Sequence, residues 1–126
     1  MAEDSGKNTS LTPLINQIES ADDPQNLIAQ TQRQIEKDFS TFSVGIPFDK
    51  EETLDSLFEK LKAALEQLTE ENRAKLSQIL YRIDLSEPQL GAILTGAQGP
   101  DIHGQLAFQI IQREMKKVIL RSRYSP

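Results

Sequence analysis

The segment from Leu106 to Leu120, LAFQIIQREMKKVIL, constrains this chain more than any other, because it carries two apolar stripes instead of one. On a helix turning about 100° per residue, Ala107, Phe108, Ile111, Met115, Val118 and Ile119 share one broad sector, with Ser122 as its polar guest. Leu106, Ile110, Leu120 and Tyr124 line the opposite side, interleaved with Arg113, Lys117 and Arg121. A helix that is apolar on two sides needs cover on both. It is either central in a bundle or keeps one side for a partner. On the partner reading, Leu106, Ile110, Arg113, Lys117, Leu120 and Tyr124 form the binding strip. On the central reading, the preceding helix over 24–39 and the Phe-rich stretch 39–48 cover it.

The other apolar segments predict an all-α fold of four main helices (about 24–39, 50–68, 70–84 and 102–123) with a short one at 87–95. Asp23 before Pro24 is a helix start, an N-cap acceptor followed by a residue whose missing N–H costs nothing there. Leu27, Ile28, Thr31, Ile35 and Phe39 then face inward, with Gln30, Gln32, Gln34 and Lys37 toward solvent. Asp49 to Glu52 has the spacing of a capping box, and Leu54, Leu57, Phe58, Leu61, Ala64, Leu65 and Leu68 repeat along one face behind it. A turn at Thr69–Asn72, favoured over one continuous helix, makes a hairpin with the face of Leu76, Ile79, Leu80 and Ile83. Leu61 and Leu80 are therefore expected to be buried. Ser86-Glu87-Pro88-Gln89 opens the short helix, and the glycines of 95–100 stop it.

Between these lies FSTFSVGIPF, in which Phe42, Val44, Ile46 and Phe48 alternate with small residues, the period of an extended segment. Pro47 opposes a central strand, so a linker that plugs gaps is favoured over a recognition strand. Before the first helix only Leu11, Leu14, Ile15 and Ile18 are apolar, about one and a half turns. Residues 1–22 thus read as a flexible tail, and 23–126 as a single helical domain.

The supply of reactive groups is narrow. With no cysteine and His103 the lone histidine, thiolate chemistry and multi-histidine metal sites are excluded within the chain. The acidic group Asp49, Glu51, Glu52 and Asp55 lacks the alternation and glycine of a calcium loop. The Gly96–Gly104 stretch lacks the Lys-Ser/Thr of a phosphate loop, so neither metal nor cofactor is expected. No nucleophile setting accompanies His103 and Asp101, which argues against an enzyme.

Net charge is −5, divided as −8 over residues 1–90 and +3 over 91–126. Cations at the end of a helix offset its dipole, which accounts for the basic end without a ligand. The helices joined at Ile83–Ser86 have helix-turn-helix spacing, but the second offers no Lys or Arg to read bases, which disfavours nucleic acid. No signal peptide or membrane span is apparent, so a soluble, cytoplasmic protein is expected. The expected function is a non-enzymatic protein–protein interaction or scaffolding module, working through an unidentified partner or self-association. The alternative is an accessory factor that binds nucleic acid or anionic surfaces through the basic C-terminal end.

Overall fold

The computed structural model describes residues 9–97 and 99–124, which form six helices and no strand. They are α1 (Thr12–Glu19), α2 (Pro24–Ser40), α3 (Leu54–Glu71), α4 (Arg73–Ile83), α5 (Glu87–Leu94) and α6 (Ile102–Tyr124). The fold is all-α, as the periodicity predicts. α6 is its axis, packed most extensively against α2 on one flank and α3 on another, with α4 and α5 making smaller contacts.

Local chemistry sets most of the boundaries. Asp23 accepts a hydrogen bond from the Asn26 N–H at the start of α2, and Ser86 accepts from Gln89 at the start of α5. Helix α3 begins later than its acidic run suggests: Thr53 is the cap, in a reciprocal box with Ser56. Glu52 still accepts from the Asp49 N–H, but it belongs to a loop fastened elsewhere. Gln32 of α2 fastens that loop, donating to the Asp49 carbonyl (2.8 Å) and accepting from the Glu52 N–H (3.0 Å). Gln32 is therefore buried, not on the solvent face. Lys60 lies 2.7 Å from Glu52 and 3.5 Å from Asp49, so a lysine neutralises these two acids of the loop.

Three further expectations change. Residues 1–8 of the expected tail lie outside the described residues, but 12–19 are not tail. They form α1, with Leu14 and Ile18 buried against the core. Eight residues cannot hold a helix alone; docking supplies the stability. The break between α3 and α4 falls at Asn72, which ends one helix and caps the next. One residue is shorter than the roughly two to five that close a helical hairpin. Helices α3 and α4 still pack on each other across this break, and α4 also reaches α2 and α6. Thr69, expected in the turn, lies inside α3; its hydroxyl donates to the Leu65 carbonyl and lies 3.0 Å from His103 Nε2 in the first turn of α6.

The segment after α2 is the expected linker. Ser43 turns the chain in the left-handed region (φ 63°), after which Val44, Ile46 and Phe48 are half-buried between exposed neighbours. Leu61 is fully buried and Leu80 nearly so. Leu61→Ala is expected to cost about 2–4 kcal/mol in urea unfolding; a loss below about 1 kcal/mol would remove this face from the core.

Asp101 ties the start of α6 to two other segments. Its carboxylate accepts from the Gly104 N–H (3.2 Å) and from both the N–H and hydroxyl of Thr9 (3.1 and 3.0 Å), and it pairs with Lys62 (3.0 Å). Burial alone would raise its pKa, but Lys62 and Thr9 together hold the carboxyl below its ordinary value. A Cβ on Gly104 would overlap the Asp101 carboxylate. Gly104→Ala gains about 1 kcal/mol of helix propensity yet displaces a carboxylate with four partners, so a net loss of about 1 kcal/mol is expected in urea unfolding. A net gain would show that Asp101 can move without losing them.

Candidate functional site

The six residues of the expected partner strip do not share one surface. Leu106 (1% exposed) and Ile110 (0%) lie in the core, because α6 is covered on both sides by its own chain. They are corrected from surface to core. Arg113 pairs with Asp84 (3.2 Å), and Lys117 with Glu114 and Asp38. Leu120 is part-exposed at 38%, while the side chain of Tyr124 lies outside the described residues. The cations of this strip thus serve internal acids, and Arg121 donates to Gln34 of α2 at 2.9 Å.

What the geometry does assemble is a charged seam between α2 and α6. Asp38 is the residue before Phe39 near the end of α2, and Glu114 stands among Ile110, Ile111, Met115 and Val118 of α6, so both carboxyls enter the core with their helices. Asp38 Oδ1 accepts from Arg82 Nε of α4 (3.1 Å) and from Gln34 (3.3 Å), and its Oδ2 lies 3.8 Å from Lys117 Nζ. Glu114 is wholly buried; Lys117 Nζ is 3.0 Å from its Oε1, within ion-pair range but out of hydrogen-bond alignment.

The two acids are driven apart. Burial first, then the hydrogen bond and charge of Asp38, push Glu114 up to about 8 despite Lys117. For Asp38, burial acts upward too, but the hydrogen bond from Glu114, Lys117, Gln34 and Arg82 outweigh it and hold the group below its ordinary value. At neutral pH the pair therefore shares one proton, with Glu114 the donor and Asp38 the acceptor. A pair so placed could hold or move a proton. Having no open approach for a substrate at Glu114, it serves structure more readily than catalysis.

Arg82 connects the seam to the surface. With Phe42, Ser77, Gln78 and Tyr81 it lines a shallow, mostly apolar groove on the outer face of α4. Tyr81 is 88% exposed, the most exposed large apolar side chain among the described residues. A second, polar cleft between α1, α5 and α6 is lined by Gln17, Gln89, Gln109 and Gln112 beside Arg113.

The sequence held signals for these residues. Glu114 is three residues from Ile111 and four from Ile110 and Val118, an acid inside an apolar stripe. Tyr81 shares its face with Ser77 and Gln78, so an aromatic stands on a polar side. Among the described residues no three metal-ligating side chains come together, and no helix is long and apolar enough to cross a membrane. No protein-family model, curated protein or solved structure matches this chain.

Proposed function

We propose that this protein is a non-catalytic protein-binding module whose docking face is the outer surface of α4 around Tyr81. The observation that carries the reading is Tyr81 itself, a large aromatic left 88% exposed at the edge of a groove that Phe42 helps to line. Tyrosine gives a partner a broad, rigid contact with only two side-chain torsions to fix, and with arginine it dominates binding energy at interfaces. Arg82 beside it supplies a second anchor of that kind, part-exposed and held in place by Asp38. A basic-end reading has less support, since two cations of that end are engaged inside the chain, Lys117 with Asp38 and Glu114 and Arg121 with Gln34.

Photo-crosslinking in the native cell tests this, with the reactive residue at Gln78 inside the groove and at Glu59 on exposed α3 as control. Adducts at position 78 alone are expected. Tyr81→Ala should weaken that interaction about tenfold or more, yet change urea stability by no more than about 0.5 kcal/mol. Equal adducts at both positions, or none at 78, would contradict the docking face. Sedimentation of the purified protein then separates self-association from capture of another chain.

A further inference from the structure

We propose that the α2–α6 seam is a proton-operated latch: one proton shared by Glu114 and Asp38 holds the C-terminal half of α2 on α6, and its loss frees that half-helix while the rest of the bundle stays folded. The inference stands on the seam's geometry and does not depend on whether the α4 groove binds a partner.

The hydrogen-bond pattern is the starting point. With both groups written as carboxylates, Glu114 Oε1 and Oε2 and Asp38 Oδ2 are buried and have no hydrogen-bond donor. Three unsatisfied acceptors in one place are too costly for a settled core. One proton on Glu114 repairs the contact, making its hydroxyl a donor to Asp38. The neighbouring donors are committed elsewhere or misaligned. From α4, Arg82 is spent on Asp38 Oδ1, and from α2, Gln34 donates to the same oxygen. From α6, Lys117 stands close to Glu114 but unaligned, Arg113 is paired with Asp84, and Arg121 donates to Gln34. α1, which packs on α2, and α3 and α5 contribute no ion pair to the seam among the described residues. The two flanking cations match two carboxylates in number, yet an ionised Glu114 would lie buried with only the unaligned Lys117 ammonium, shared with Asp38, to meet it.

The consequence is local because of how α2 is attached. Irregular chain flanks it on both sides, the turn at 20–23 and the linker over 41–53. Its second polar anchor, Gln32, grips the 49–52 loop and not α6, so it can travel with the helix. Thr31 donates to its own helix at Leu27 and ties α2 to nothing else. Against α6, therefore, α2 relies on apolar contact, on the shared proton, and on two ties from cations nearer the surface, Arg121 to Gln34 and Lys117 to Asp38. α3 keeps its separate packing on α6 throughout.

Amide hydrogen exchange of the full chain, corrected for the intrinsic rate at each pH, reads the latch directly. From about pH 6 to about pH 9, protection over Thr31–Phe39 should fall about tenfold or more relative to Leu57–Leu65. Glu114→Gln, whose amide donates to Asp38 at any pH, should abolish that fall. Should that variant not fold, Asp38→Asn serves instead: its amide can donate to an ionised Glu114, and the pH step should again disappear. Protection that falls in α2 and α3 together, or not at all, overturns the latch, as does a step that survives in the folded variant.

Discussion

Ile110→Glu is expected to unfold the protein. Ile110 is fully buried in α6, so the change removes a core side chain and places a carboxylate in the apolar interior. An isolated buried charge and a lost core residue together exceed about 4 kcal/mol, a large share of the roughly 5–15 kcal/mol that holds a small domain folded. Circular dichroism and size-exclusion chromatography give the readout. A variant that stays folded and becomes strictly monomeric would instead make the Leu106–Ile110 side of α6 an interface.

A stability profile that peaks at mildly acidic pH and declines toward alkali is the second expected result. Glu114 sits at about 8 in the folded protein against an ordinary 4.5, so between those values the native state holds a proton that the unfolded chain has released. Its contribution is complete below about pH 4.5 and is lost as pH rises through about 8, a span on the order of 3–5 kcal/mol. The acid side has the opposite sign. Lys60, with Ser56 and the Asp49 N–H, holds Glu52 at about 2, and Asp38 and Asp101 are also lowered. Their stabilisation is present above the ordinary carboxylate range and is lost as pH falls toward about 2. Urea midpoints from about pH 3 to about pH 9 trace both limbs, and Glu114→Gln should flatten only the alkaline one. A flat wild-type profile above about pH 5, or an alkaline limb unchanged in the variant, would contradict the shared proton.

Much of the fold was legible because helix starts are local chemistry. Asp23-Pro24 and Ser86-Glu87-Pro88 act as caps and first turns where their residue types require it. The start of α3 was harder, since Asp49–Glu52 and Thr53–Ser56 both have cap spacing, and the choice between them rests on Gln32, twenty residues before Glu52. α1 escaped for a related reason: its stability lies in the docking of Leu14 and Ile18, which an eight-residue window cannot express. The two stripes of α6 were visible, but a helical wheel does not say which neighbour covers which side. α2 and α3 take both, and so the residues offered for a partner became core or ion pairs. Tyr81 and the Asp38–Glu114 seam depend on how three helices meet, and only the oddity of an acid in an apolar stripe hinted at them.

On this reading α6 is an internal axis closed on α2 by a buried, protonated carboxyl. A carbon-13 NMR titration of the Glu114 side-chain carboxyl tests it most directly. A protonated shift at neutral pH and a midpoint near 8, displaced far from the other glutamates, are expected. A Glu114 carboxyl that titrates near 4.5, with the ordinary glutamates, would show that the group meets water and that the seam is open.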